Sequence, residues 1–226
     1  MVFDFFKRGS SSIDEVEQLL VQMLRDGRAV YDAATAAVFG GGTSKDTKRE
    51  VKGTDRGINE AQRQVRRALL INTSVSGTPD LALALTYMSV VKDVERVGDY
   101  AKSLYDIARY GADFSAVPDR ETLEHYCGAV GGLIDEAADV FDDRNVERAR
   151  QLVTKADGFL DEYDEQLKAT VASQGPAFDA VTRALYFFYL ERITAHVMNL
   201  MTSLVLPVDQ LDYYDEAKDD RRDPES

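Results

Sequence analysis

The sequence lacks most of the features that mark catalytic, secreted or membrane-spanning proteins. Cys127 is the one cysteine among 226 residues, so no intramolecular disulfide can form, and its small apolar neighbours predict a buried side chain. No run approaches the roughly 18 apolar residues that a membrane-spanning helix needs. The chain also has no glycine-rich phosphate loop, no Ser/His/Asp set and no nucleophile elbow. These absences favour a cytoplasmic protein that is not an enzyme.

Histidine is scarce, and this argues against a ferritin-like di-iron site. Such a site needs Glu-x-x-His on two helices that face each other. Glu121 precedes His125 by four positions, one too many, and His196 has no Glu three positions before it. His196 stands beside an apolar stripe, where a hydrogen-bonded packing residue is the commoner role.

The charge balance is strongly acidic. The chain contains 27 Lys and Arg against 40 Asp and Glu, which gives a formal net charge of -13. Phosphate backbones attract basic surfaces, so the composition argues against nucleic acid as a partner. A metal cation or a basic protein surface suits this charge better.

Prolines are few, and they punctuate long helical patterns. Apolar residues recur at helical spacing in six segments, at about 12–39, 46–72, 80–110, 119–141, 146–172 and 177–206. Short connections between long amphipathic helices indicate antiparallel neighbours. We therefore predict an all-α protein of two tandem three-helix bundles, over 1–113 and 114–208, followed by an acidic tail over 209–226 that we expect to be disordered.

The second group of three segments repeats the first. A shift of 96 positions places Val94-Glu95-Arg96-Val97 on Leu190-Glu191-Arg192-Ile193, and the apolar stripes of the third and sixth segments then coincide. A shift of 102 positions aligns the second segment with the fifth in the same way. A repeat of roughly a hundred residues is too long for a solenoid unit, so it indicates a duplicated three-helix unit.

Polar residues recur directly after core positions of the repeated segments. These positions are Asp55, Asn59, Glu95, Asp99, Asp157, Asp161 and Glu191. Carboxylates four residues apart lie roughly 6 Å apart on one helix face, and such pairs suit Mg²⁺, Ca²⁺, Mn²⁺ or iron. The same residues also fit a solvated helix face, because Glu95 and Asp99 lie opposite the apolar stripe beside Lys92 and Arg96.

One run of the third segment resembles a family signature. Val94-Glu95-Arg96-Val97-Gly98-Asp99-Tyr100-Ala101 is similar to the Glu-Arg-Ile-Gly/Ala-Asp-His-Ala-like run of PhoU proteins, which recurs in the third helix of each half. The run from Leu190 to Leu200 looks like the second copy, and the resemblance extends over about residues 12–206. It implies two packed three-helix bundles, often dimeric, in a cytoplasmic protein that restrains phosphate transport and signals phosphate sufficiency.

The resemblance also implies metal ligands. Some PhoU proteins bind metal clusters through Glu/Asp-x-x-x-Asp motifs, and the ion would be iron, manganese, magnesium, calcium or zinc. By position the motif is complete at Glu95/Asp99 and Asp157/Asp161. It is partial at Asp55/Asn59, where an amide replaces the second carboxylate. At Glu191 the sequence departs from the pattern, because Ala195 replaces the second acid. The second metal site is therefore incomplete.

The implied partners are the ATPase component of a phosphate transporter and a sensor histidine kinase. The resemblance further implies peripheral contact with a membrane complex and a homodimer. PhoU-like domains also accompany other ion transporters, so a metal-free adaptor for another ion system is the alternative. In that alternative the acids are only solvated. For the phosphate regulator we expect the acidic face, with or without a metal ion, to dock against basic regions of the transporter ATPase or the sensor kinase.

Overall fold

The computed structural model describes residues 12–76 and 81–211. It contains six long helices: α1 Ser12–Ala36, α2 Lys45–Ser76, α3 Leu81–Arg109, α4 Arg120–Asp142, α5 Val146–Ala172 and α6 Ala177–Thr202. No strand occurs within these described ranges. The prediction of an all-α fold of six long helices is confirmed.

Glycines with left-handed backbones end the first and third helices. Beyond Ala36 the chain widens into a π turn over Ala37–Gly41, in which Gly40 adopts a φ of 98°. Gly111, just after α3, has a φ of 104°. A side chain at either position would strain the backbone, so these glycines determine where the helices stop.

A capping side chain starts α5, and a reversal of the chain direction ends α6. The Asn145 side chain accepts a hydrogen bond from the Arg148 amide at 3.0 Å and starts α5. α6 ends at Thr202, one turn before the predicted end at Leu206. The chain turns back there, and the Thr202 hydroxyl donates to the carbonyl of Leu211, which is buried.

The two halves share one hydrophobic core. α1 packs against α2 and α3 in its own half and against α4 of the other half. α3 contacts α2 and also α6, so two pairs of helices cross the boundary between the repeats. The buried apolar side chains form a single contiguous cluster. The division into units at 113 and 114 stays a prediction from the repeat.

α3 and α6 run antiparallel along the seam between the halves. Asp93 contacts His196, and Tyr100 contacts Tyr189, so the residue number falls along α6 as it rises along α3. The shift of 96 that relates the repeats converts one pair into the other, Asp93 to Tyr189 and Tyr100 to His196. The two pairs are therefore equivalent points of a twofold-like seam.

None of the described helices is apolar enough, over the length required, to cross a membrane. Of the predicted acidic tail, the structure describes its beginning. A short 3₁₀ turn spans Val208–Gln210, and Leu211 is buried. The rest of the tail, 212–226, lies outside the described residues.

Candidate functional site

The structure brings three of the predicted acids together where α2 packs on α3. Glu95 and Asp99 lie one turn apart on α3, and Asp55 lies on the neighbouring helix. Two cations join them, Arg96 and Lys102. We call these five residues the α2/α3 ion cluster.

Lys102 links the two helices of this cluster. Its Nζ lies 2.9 Å from Asp55 Oδ1 and 3.9 Å from Asp99 Oδ1. Arg96 holds the other side of Asp99, with Nη1 3.1 Å from Oδ2. Asp55 and Asp99 therefore share an ammonium group, and the carboxylates of the cluster still outnumber its cations by one.

Glu95 is the least exposed acid of the cluster, with 12% of its side-chain surface accessible. Burial raises the pKa of Glu95, because the charged form loses hydration, and the negative charge of Asp99 raises it further. The Arg96 guanidinium, whose Nε lies 3.8 Å from Glu95 Oε2, opposes the shift. Glu95 is thus a poor fit to the solvated face that the helical pattern also allowed.

Asn59 turns toward its own helix. Its Nδ2 donates to the backbone carbonyl of Asp55, one turn earlier, at 2.9 Å. This bond commits the amide nitrogen locally. The Asn59 side chain therefore forms a hydrogen bond within α2 and none to the acids on α3.

The side chains of the α2/α3 ion cluster do not fit a metal ion as they stand. The described ranges contain no group of three or more His, Cys, Asp or Glu side chains that could hold one. Lys102 makes contact with both Asp55 and Asp99, and an ammonium group and a metal ion compete for the same carboxylate oxygens. Metal binding at these positions stays a prediction from the sequence.

The corresponding acids of the second half are arranged differently. Asp157 and Asp161 lie on α5, and Glu191 lies on α6. Burial raises the pKa of Glu191, and the nearby acid that adds to this effect is Asp164, a residue that the motif did not include. Ala195, one turn after Glu191, is buried, and its side chain has no oxygen to offer a metal ion.

His196 is a packing residue of the seam. Its Nδ1 lies 2.8 Å from Asp93 Oδ1, and its ring stacks on Tyr100 with centroids 5.6 Å apart. Asn199 Nδ2 donates to the same oxygen of Asp93 at 3.2 Å. These contacts bind α3 to α6, in agreement with the predicted role of His196.

Sequence reasoning missed Lys102 and Asp164. Helix packing brings Lys102 to Asp55 and brings Asp164 near Glu191, and the spacing within one helix shows neither. The signal for Lys102 lies in the register of α2 against α3. Gly98 packs beside Ile58, and in the same register Asp55 lies next to Lys102.

Comparisons with known proteins agree with the first copy of the signature run. A family model described as the PhoU domain matches residues 20–108. This range includes Asp55, Asn59, Glu95 and Asp99 and ends before the second set of acids. The phosphate-specific transport system accessory protein PhoU homolog of Synechocystis sp. is 27% identical over 125 residues. The match covers 54% of this chain and spans 55% of that relative's length.

Solved structures share the fold. The crystal structure of PhoU from Pseudomonas aeruginosa superposes with a TM-score of 0.74 at 22% identity, over 88% of this chain and 96% of the other. The phosphate transport system regulatory protein PhoU from Streptococcus pneumoniae gives a TM-score of 0.69 at 18% identity, over 93% and 97% of the two chains. At these identities the likeness shows the fold alone. The chain therefore has a PhoU domain match over residues 20–108 and a fold like that of solved PhoU structures.

Proposed function

We propose that this chain is a cytoplasmic accessory regulator that restrains phosphate uptake when phosphate is sufficient. The observation that carries the proposal is the PhoU domain match at residues 20–108, and the similarity to a relative named as a phosphate transport accessory protein supports it. The regulator would act without catalysing a reaction. Its partners would be the ATPase component of a phosphate transporter and a sensor histidine kinase.

The α2/α3 ion cluster is the surface that we propose for partner docking. Its carboxylates outnumber its cations, and it lies on two helices whose apolar faces are already buried in the core. Glu95 and Asp99 could exchange Arg96 for a basic residue of a partner at little cost, because both states keep the carboxylates paired. Such an exchange would be reversible, as a regulator requires.

Deletion of the gene in its host tests the function. We expect phosphate uptake and phosphate-starvation genes to stay active at high phosphate, and reintroduction of the intact gene should restore repression. If phosphate responses are unchanged while uptake of another ion changes, the chain is instead an accessory protein of that ion system.

Charge reversal tests the docking surface separately. Glu95→Lys/Asp99→Lys should abolish capture of the transporter ATPase and relieve repression. Glu121→Lys/Asp139→Lys controls for net charge, because it makes the same charge change at two exposed positions of α4, and circular dichroism checks that both variants are folded. Unchanged capture and repression in the first variant would contradict docking through the α2/α3 ion cluster.

A further inference from the structure

α2 is a basic helix in an acidic protein. It carries eight Lys and Arg against four Asp and Glu, whereas the whole chain has a net charge of -13. At about 100° per residue, all eight basic side chains project into one sector roughly 100° wide. They are Lys45, Lys48, Arg49, Lys52, Arg56, Arg63, Arg66 and Arg67. We call this set the α2 basic stripe.

The stripe is nearly uniform in charge. Between Lys45 and Arg67 the sector contains nine positions, and Asn59 is the one that is not basic. At a rise of about 1.5 Å per residue the stripe is roughly 33 Å long. The apolar positions Val51, Ile58 and Val65 lie on the far side of the helix and are buried, so the stripe faces away from the core.

The cations of the stripe are mostly left without carboxylate partners. The described ranges contain 22 Lys and Arg residues, of which 15 form ion pairs. Of the seven in those ranges that form none, Lys92 is on α3 and the others belong to the stripe: Lys45, Lys48, Lys52, Arg56, Arg66 and Arg67. Acids are abundant in this chain, so a cluster of unpaired cations on one helix indicates an external anionic partner.

The shape of the stripe is open. Its first five cations line a shallow groove of about 360 Å³ at the start of α2, where the helix dipole adds to the positive potential. All the lining residues belong to one helix, so the groove does not enclose a ligand. An extended partner that lies along one side of the helix suits this geometry better than a small molecule.

Apolar side chains continue the stripe at its far end. Leu70 occupies the next position of the sector and is 62% exposed, and Ile71 beside it is 40% exposed. α3 also has an exposed apolar side chain, Leu85, which is 52% exposed. A soluble polyanion gains nothing from such residues, whereas a bilayer offers headgroup phosphates for the cations and an apolar boundary for Leu70.

We propose that the α2 basic stripe docks on the surface of an anionic phospholipid bilayer. The cations contact headgroup phosphates, and Leu70 reaches the acyl boundary. The net charge of the chain does not oppose this contact, because acids farther than a Debye length of about 8 Å from the lipid are screened. The docking goes beyond the proposed regulation of phosphate uptake and does not depend on it.

Vesicle co-sedimentation of the full chain tests the proposal. We expect binding to phosphatidylcholine vesicles that contain phosphatidylglycerol, no binding to phosphatidylcholine alone, and release when salt is raised from about 50 to about 500 mM. Lys48→Glu/Lys52→Glu/Arg56→Glu should weaken binding at least about tenfold. Leu70→Ser should weaken it less, since the cations remain.

A matched variant controls for net charge. Arg150→Glu/Lys155→Glu/Lys168→Glu makes the same charge change on α5, outside the stripe, and should bind like the unmodified protein. Circular dichroism checks that each variant is folded. Three results would overturn the proposal: no binding to anionic vesicles, equal loss in the two triple variants, or binding of inorganic polyphosphate without binding of vesicles.

Discussion

Arg144, in the turn between α4 and α5, forms an ion pair with Glu17 of α1 and so joins the second half to the first. Its Nε donates to Glu17 Oε2 at 2.9 Å, and its Nη2 also lies 2.9 Å from Asp14 Oδ1. The Tyr87 hydroxyl donates to the other oxygen of Glu17, which is 8% exposed. The Arg144 backbone has a φ of 51°, in the left-handed region, where a side chain other than glycine's is strained.

Replacing Arg144 should destabilise the protein by leaving that carboxylate half-satisfied. We expect Arg144→Ala to lower the free energy of unfolding by about 1–3 kcal/mol, measured by urea denaturation. Arg144→Gly should cost less, because glycine relieves the left-handed backbone. If Glu17→Gln/Arg144→Ala were no more stable than expected from the two single variants added together, the ion pair would not be coupled.

Removing Lys102 should expose a latent cation site. Without its ammonium group, Asp55 and Asp99 have no shared cation, and a divalent ion can take that place. We expect Lys102→Ala to bind Mn²⁺ or Mg²⁺ at least about tenfold more tightly than the unmodified protein by calorimetry, since one unit of positive charge is removed from the site.

The variant Glu95→Gln/Asp99→Asn/Lys102→Ala is the control and should not bind. Elemental analysis of protein prepared without chelator gives the opposing outcome. Stoichiometric metal in the unmodified protein, lost in Glu95→Gln/Asp99→Asn, would mean that the metal prediction is right and that Lys102 does not act as the cation of the cluster.

The raised pKa of Glu95 predicts a pH-dependent stability. Folding buries this carboxyl, so the folded state holds its proton more tightly than the unfolded state. The stability that it contributes therefore falls as pH rises from the ordinary pKa of 4.5 through the raised folded value. Glu95→Gln, which cannot ionise, should be more stable than the unmodified protein above this pH range and equally stable below it.

Urea denaturation from pH 4 to 8 measures the difference in stability. Asp139→Asn, at an exposed position, is the control. A difference between Glu95→Gln and the unmodified protein that stays constant across pH would contradict the prediction.

Cys127 should be unreactive in the folded protein. Burial raises the pKa of Cys127 to about 11, so little thiolate is present at neutral pH, and the residue is 8% exposed. A disulfide reagent at pH 8 should label it only after unfolding in urea. A second cysteine at exposed Ser89 should react at once in the same protein, and immediate labelling of Cys127 would contradict its burial.

Gly98 in the signature run should tolerate no large side chain. A Cβ placed there would lie 2.6 Å from Cδ1 of Ile58, which is buried where α2 crosses α3. We expect Gly98→Leu to lower the free energy of unfolding by about 1–3 kcal/mol. Gly57→Leu is the matched control, because nothing lies within 4 Å of its Cβ position, and it should be neutral or stabilising.

Helical periodicity was sufficient to predict the architecture, because each α-helix buries one stripe of its own sequence. It predicted α5 at the bounds that the structure has, and it placed Glu95 beside Asp99. It could not predict Lys102 in contact with Asp55, since that depends on how far α2 is displaced along α3. Residues 47 positions apart meet only through packing.

The acidic composition concealed the basic helix. The net charge of -13 is a total for the whole chain, whereas a partner binds one surface, whose local charge can have the opposite sign. The sector from Lys45 to Arg67 is visible in the sequence once it is projected on a helix. The structure adds the fact that Lys48 and Lys52 have no carboxylate partner among the described residues.

The antiparallel seam has a consequence for assembly. Along it, Asp93 with His196 and Tyr189 with Tyr100 occupy equivalent places, as matching residues do in an isologous dimer. The two halves of one chain therefore pack through α3 and α6 in the way that two separate subunits would pack in a symmetric dimer. That self-complementary face is already used, so a second copy of the chain must bind through a different surface.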